Sequence, residues 1–151
     1  MDRIQLRSLL ADRLAAVEQR LHAACRRAGR ARGDVTLVAV TKTASVEAAA
    51  ELVELGVRDL GENRPQELWR KAAVVPGARW HLIGHLQRNK IERALPFAFR
   101  IHSVDSLRLL WALEEQAGRT NRTVDALLEV NASREPNKQG FSPDEIPDLA
   151  P

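Results

Sequence analysis

The sequence contains few of the residues on which several classes of protein depend. Its single cysteine, Cys25, cannot form a disulfide within the chain, which is typical of proteins from a reducing cytoplasm. The eight glycines are scattered and form no phosphate-cradling loop, and potential zinc ligands do not cluster. No run of 18 apolar residues and no apolar N-terminal segment occurs, so we expect no membrane span and no secretory signal. The sequence therefore predicts a cytoplasmic protein without a metal site.

The composition that remains is that of a folded protein. Hydrophobic residues make up 44% and charged residues 28% of the 151, values that suit a single globular domain. Residues 1–33 hold eight arginines against three acidic residues, although the net charge of the whole chain is only +3. Apolar residues recur in this segment at helical spacing. No aromatic residue lies among the arginines, although proteins that bind single-stranded nucleic acid need aromatic side chains there. We predict an N-terminal helix in residues 1–30 with a solvated basic face, and no nucleic-acid partner.

After this helix, short apolar segments alternate with helical segments five times. Four segment ends, Lys42, Asn63, Gly84 and Asp105, are each 21 residues apart, and Asn131 follows 26 residues later. Each interval has room for one strand, one helix and two tight loops. Repeated βα units form a parallel sheet, and near-regular units without a glycine-rich first turn favour a barrel. The predicted fold class is α/β: residues 35–151 form the five N-terminal βα units of an incomplete TIM-type (β/α)8 barrel, in one domain spanning 1–151.

Several helix boundaries are predicted as well. Asn63 is expected to be the N-cap of a helix over 64–74, and Asp105 the N-cap of a helix over 106–117. Gly118 is expected to end the second of these helices. Ser142 and Glu145 form a capping-box pattern that predicts one more helix near the end of the chain.

The lysine at the end of the first predicted strand is the strongest candidate for chemistry. Val38, Val40 and Lys42 lie on one face of that strand, so the ammonium would reach the barrel mouth from an apolar floor. Such desolvation lowers the pKa of a lysine and makes its neutral amine a nucleophile toward carbonyl groups. A Schiff base with an aldehyde substrate or with pyridoxal phosphate is the natural reaction of such an amine. Taken alone, however, this feature favours a lysine that simply extends into water.

Five segments, in order, carry a resemblance to a known family: "AVTKT", "GENRPQE", "WHLIGHLQRNK", "IHSVDS" and "EVNASREPNKQGF". The chain resembles the pyridoxal phosphate homeostasis proteins, whose fold is similar to the N-terminal barrel domain of alanine racemase. The resemblance implies that pyridoxal 5′-phosphate is the cofactor, held as an aldimine. The cofactor-binding residues that it implies are Lys42, Asn63, His81, Ser103 and Asn131. It also implies a carrier that buffers the cofactor, with pyridoxal phosphate-dependent apoenzymes as possible partners, and it assigns no catalytic residue.

Two alternatives stay open at this point. An amino-acid racemase would use the same lysine, but alanine racemases use a tyrosine as the second acid or base, and this sequence contains no tyrosine. Relative to the family, about the last third of the barrel is absent, and with it the loops that usually hold phosphate in such barrels. The chain could therefore be a truncated barrel fragment that is unable to hold the cofactor. The sequence does not predict the oligomeric state.

Overall fold

A computed structural model describes residues 2–149 of the chain as a helix followed by five alternating strands and helices. Residues 1, 150 and 151, at which the predicted domain begins and ends, lie outside the described residues. The helices are α1 (Arg3–Arg27), α2 (Val46–Glu54), α3 (Pro65–Ala72), α4 (Ile91–Ala94), α5 (Leu107–Thr120) and α6 (Ile146–Leu149). The strands are β1 (Ala39–Val40), β2 (Asp59–Glu62), β3 (Arg79–Leu82), β4 (Ala98–Val104) and β5 (Ala126–Leu128).

The five strands form one parallel sheet in the order β1-β2-β3-β4-β5. Ala39 pairs with Leu60, and Leu60 pairs in turn with Trp80, so each strand lies beside the next one in the chain. This order is that of a (β/α)8 barrel, in which every strand is followed by a helix that returns the chain to the start of the next. The structure therefore confirms the predicted α/β class, the five βα units and the preceding helix.

The hydrophobic core lies between the sheet and the helices that cover one of its faces. Alternate strand residues enter it, because successive side chains of a strand point to opposite faces. The helices contribute residues at helical spacing, such as Leu109 and Leu113 of α5. The sheet residues of this core are Leu60, Trp80, Leu82, Ile101 and Val104. On the opposite face of the sheet, which would be the inside of a barrel, Gly61 of β2 meets the side chains of Val38, just before β1, and Ile83, just after β3.

The first helix begins with a capping box in which the Asp2 carboxylate accepts from the Gln5 backbone N–H, and it packs on α2. The buried carboxylate of Glu51 on α2 pairs there with the guanidinium groups of Arg3 and Arg7. Part of the positive charge that the sequence concentrates in residues 1–33 therefore holds α1 to the sheet domain.

Three predicted helix boundaries are wrong by one to three residues. The N-cap of α3 is Arg64, not Asn63, because Pro65 occupies the first helical position, where its fixed φ suits a helix start. The N-cap of α5 is Ser106, whose hydroxyl accepts from the Leu109 N–H. Asp105 is not the cap because its carboxylate accepts from His85 Nδ1, 2.9 Å away.

The other end of α5 also differs from the prediction. The helix continues past Gly118 to Thr120 and ends at Asn121, whose φ of 49° is in the left-handed region. Asparagine tolerates that conformation better than most residues, so it replaces glycine as the terminator. The predicted capping pattern after β5 forms one contact: the Ser142 N–H donates to the Glu145 carboxylate at 2.7 Å, ahead of the single turn of α6.

Candidate functional site

The carboxyl ends of the five strands form one edge of the sheet, here called the rim. Lys42 follows β1 by two residues, Asn63 follows β2 directly and Gly84 follows β3 by two. The Thr41 N–H donates to the Gly61 carbonyl at 2.9 Å, and the Ile83 N–H donates to the Glu62 carbonyl at 2.9 Å. These bonds fix the three strand ends side by side, so the structure brings Lys42 and Asn63 to the same edge.

Lys42 itself is exposed, which differs from the apolar surroundings predicted for it. Val40, on the same face of β1, is 53% exposed, and Val38 is half-buried. Within residues 2–149, β1 has a strand neighbour on one side only, so the apolar floor expected beneath the lysine is open. Lys42 is therefore accessible to a small molecule in solution, but the described residues do not enclose it.

The next three strands meet closely at the rim. A Cβ atom added to Gly84 would lie 2.2 Å from the Asn63 carbonyl oxygen, so only glycine permits this approach of β3 to β2. The buried Ser103 hydroxyl donates to the Gly84 carbonyl at 2.6 Å and joins β4 to β3. Asn63 is exposed, with its side chain at the surface. Asn63 and Ser103 thus lie on either side of Gly84.

His81 lies deeper in the sheet than the other predicted site residues and is fully engaged. Its Nε2 is 2.9 Å from Asp59 Oδ1, and its Nδ1 is 2.8 Å from Nε2 of His102. Burial raises the pKa of Asp59, but hydrogen bonds from Arg79 and His81 outweigh that effect and the net shift is downward. The carboxylate then accepts from His81, so a neutral His81 must accept at Nδ1 from the His102 N–H. Both ring nitrogens of His81 are occupied within the protein.

Asn131 stands in the loop after β5 and its side chain orders that loop. Its amide nitrogen donates to the Glu135 carbonyl at 2.8 Å, and its amide oxygen accepts from the Ser133 hydroxyl. The backbone of Asn131 donates to the Phe141 carbonyl, which places Phe141 beside the end of β5 in a parallel bridge. The structure thus shows loop contacts for Asn131 and does not bring its side chain to Lys42.

A shallow groove at the rim separates the loops after β2 and β3. Its walls carry several positively charged or titratable groups beside Asn63. His85 closes one side through its bond to Asp105. Away from the rim, a second concavity between α1 and α2 surrounds the Glu51 ion pairs and contains none of the predicted site residues. The charged or titratable residues of the rim groove are Arg64, Glu67, His85 and Lys90.

Sequence reasoning missed a buried charge cluster beneath the rim. Lys71 of α3 and Glu62 of β2 form an ion pair with N–O distance 2.6 Å, and both side chains are almost fully buried. A signal was present in the sequence, since Lys71 falls between Leu68 and Val75 at the helical spacing of the buried face. The Asp59–His81–His102 chain was also missed, because it depends on the register of three strands.

Within residues 2–149, no group of three or more histidine, cysteine or acidic side chains is arranged to hold a metal ion. In the same part of the chain, no helix combines the length and the apolar character that crossing a membrane requires.

A parallel sheet of βα units in sequential strand order is the arrangement of (β/α)8-barrel proteins, which bind their ligands at the carboxyl ends of the strands, where this sheet carries a lysine and polar groups. Comparison with known families identifies the particular one. Residues 13–151 match the model of the alanine racemase N-terminal domain, and the chain belongs to that family. The resemblance found in the sequence is thereby confirmed.

Curated relatives carry the name pyridoxal phosphate homeostasis protein. The protein from Aquifex aeolicus is 34% identical over 140 residues, which cover 91% of this chain and 61% of the relative. The protein from Pseudomonas aeruginosa is 37% identical over 145 residues, which cover 95% of this chain and 63% of the relative. The chain therefore spans about 60% of the length of the curated relatives that it matches.

Two solved structures are also similar to this chain, which covers about two thirds of each. A crystal structure of an unknown protein from Bifidobacterium adolescentis is 36% identical, with a TM-score of 0.86 over 99% of this chain and 65% of that one. The structure of PipY from Synechococcus elongatus with pyridoxal phosphate bound is 34% identical, with a TM-score of 0.72 over 92% of this chain and 63% of PipY.

Proposed function

We propose that this chain binds pyridoxal 5′-phosphate and carries or buffers it in the cytoplasm through covalent attachment to Lys42. The observation that carries the proposal is the position of Lys42, exposed at the carboxyl end of the first strand of the sheet. The names of the curated relatives and the presence of pyridoxal phosphate in PipY support the choice of cofactor. Apoenzymes that depend on this cofactor are the proposed recipients, and nucleic acid is not a proposed partner.

The residues at the rim fit an aldehyde-bearing ligand. Pyridoxal phosphate supplies an aldehyde that a primary amine can attack with loss of water. Lys42 places a primary amine in an accessible position. Asn63 offers an exposed amide on the neighbouring strand end, and Ser103 fixes the β4 end against β3. We propose that Lys42 and Asn63 contact the ligand, that Ser103 and Asn131 order the strand end and the loop beside it, and that His81 supports the strands beneath it through Asp59.

The proposal favours a carrier over a racemase on two grounds. Racemisation needs a second acid or base across from the lysine, and this sequence contains no tyrosine for that role. His81 is the one histidine among the predicted site residues, and it already uses both ring nitrogens for Asp59 and His102. Neither ring nitrogen of His81 is therefore free to contact an amino acid at the rim.

The test is a titration of the purified chain with pyridoxal phosphate, followed by visible absorbance. We expect a saturable band for the parent chain and for Lys90→Ala, which removes another lysine at the rim. Lys42→Ala should show no saturable band. A band of equal strength and affinity in Lys42→Ala would show that the cofactor attaches elsewhere. Absence of a band in the folded parent chain would favour the alternative, a barrel fragment that does not retain the cofactor.

A further inference from the structure

The buried cluster beneath the rim contacts the turn that carries Lys42. The Lys71 ammonium donates to the carbonyl of Thr41 at 2.6 Å, to the carbonyl of Ala44 at 3.0 Å and to Glu62 Oε1 at 2.6 Å. Thr41 and Ala44 flank Lys42 in the chain. All three N–H donors of Lys71 are used, and two of them hold the backbone on either side of the proposed ligand-binding lysine.

Burying this ion pair between the sheet and α3 costs desolvation free energy. Taking an ammonium and a carboxylate out of water costs free energy that their attraction does not reliably return, and apolar residues of similar volume often serve as well. Glu62 accepts from the Thr41 hydroxyl at 2.7 Å through the same Oε1, while its Oε2 has no hydrogen-bond partner within the described chain. Packing alone therefore does not account for this choice of residues.

The backbone held by Lys71 is continuous with the rest of the scaffold. The Thr41 N–H is bonded to β2, and the Ala44 N–H donates back to the Thr41 carbonyl at 2.9 Å. The next residue, Ser45, caps α2 by accepting from the Ala48 N–H. Lys71 thus adds a link from α3 to a turn that β1 and α2 hold at its two ends.

We propose that Lys71 is a positioning residue, which holds the turn of residues 41–44 in one geometry and thereby fixes where Lys42 stands on the rim. This inference deepens the proposed function and rests on it. Glu62 supplies the charge that keeps the Lys71 ammonium in place. Because all three of its donors are used inside the protein, Lys71 does not compete with Lys42 for the aldehyde.

The decisive variant is the double substitution Glu62→Gln with Lys71→Met. It removes both charges together, so no unpaired buried charge is left to unfold the chain. The Ala44 carbonyl nevertheless loses the Lys71 donor, and the Thr41 carbonyl keeps only the Ala44 N–H. Arg70→Met is the control for loss of a cation from α3, since like Lys71→Met it replaces a positively charged side chain by methionine, one residue away and on the exposed side of the helix. The single variant Lys71→Met completes the set.

Two readouts are compared in folded protein. The first is amide hydrogen exchange of Ala44, which needs no cofactor; the double variant should exchange at least about tenfold faster than Arg70→Met, because the turn opens locally. The second is the rate at which borohydride traps pyridoxal phosphate on Lys42, which should fall several-fold in the double variant only. Exchange and trapping rates equal to those of Arg70→Met would overturn the proposal.

Two further results keep the test decisive. In the parent chain, the Ala44 amide should exchange only by global unfolding. Exchange of this amide through a local opening would contradict a fixed turn, and this result does not depend on whether the variants fold. If the parent chain does not trap the cofactor at all, the proposed function fails, while faster Ala44 exchange in the double variant would still support the role of Lys71 in holding the turn.

Discussion

Substitution of Gly84 by alanine tests the contact on which the rim geometry depends. The added Cβ would lie 2.2 Å from the Asn63 carbonyl oxygen and 2.9 Å from two further Asn63 backbone atoms. Ordinary contact begins near 3.4 Å, so β3 and β2 would have to separate by more than an ångström. The Ile83 N–H bond to Glu62 and the Ser103 bond to Gly84 resist this movement. Losing one or both, at about 1 kcal/mol each, and straining the rest should cost about 2–4 kcal/mol of unfolding free energy.

The assay is urea unfolding followed by tryptophan fluorescence. Gly118→Ala is the control, because a Cβ at that helical position meets no atom within 4 Å. Alanine is favoured over glycine inside a helix, so this control should be more stable than the parent by up to about 1 kcal/mol. If Gly84→Ala were as stable as the parent, the strands would not approach at this point and the account of the rim would be wrong.

Two other predictions concern protonation and phosphate. Burial is the main cause that holds the pKa of His102 below its usual 6.5; the neighbouring His81 and Arg100 lower this pKa further, and Asp125 opposes them only in part. As the pH falls, the unfolded chain therefore binds a proton at His102 before the folded chain does. The stabilisation of the fold that this difference provides is present above about pH 6.5 and is lost as the pH falls toward the folded-state pKa of His102. His102→Gln should flatten the pH dependence of the urea midpoint in that range, and an unchanged slope would contradict the assignment. Gly61 and Gly84 pack against neighbouring strands and form no phosphate loop, so pyridoxal and pyridoxal phosphate should bind to the 151-residue chain with Kd values within about tenfold. A preference of a hundredfold or more would reveal a phosphate site among these residues.

The order of elements could be predicted because it follows from local chain properties. Each 21-residue interval holds one apolar strand and one helix, which predicts a parallel sheet. The near-regular repeats without a glycine-rich first turn favour the sequential strand order of a barrel, and the structure has that order. The helix ends were harder, because they depend on which partner a polar side chain finds. Asp105 has a good capping side chain, but His85 lies 20 residues away in sequence and binds it, which leaves the cap to Ser106.

The site was predictable only in part, for the same reason. Lys42 could be found because it interrupts an apolar run. The histidine chain could not, since the pairing of β3 with β4 shifts between Trp80 and His81, and this irregularity decides which β4 side chains face His81. The exposure of Lys42 also lay beyond the sequence pattern, because it depends on which strands lie beside β1.

The most direct test of the central claim is to identify the residue that carries the cofactor. The parent chain is incubated with pyridoxal phosphate, reduced with borohydride and digested, and the modified peptide is sequenced by mass spectrometry. The account predicts one predominant adduct, on Lys42, and little on Lys71, which is buried. Modification spread evenly over the exposed lysines, or a predominant adduct on any residue other than Lys42, would contradict it.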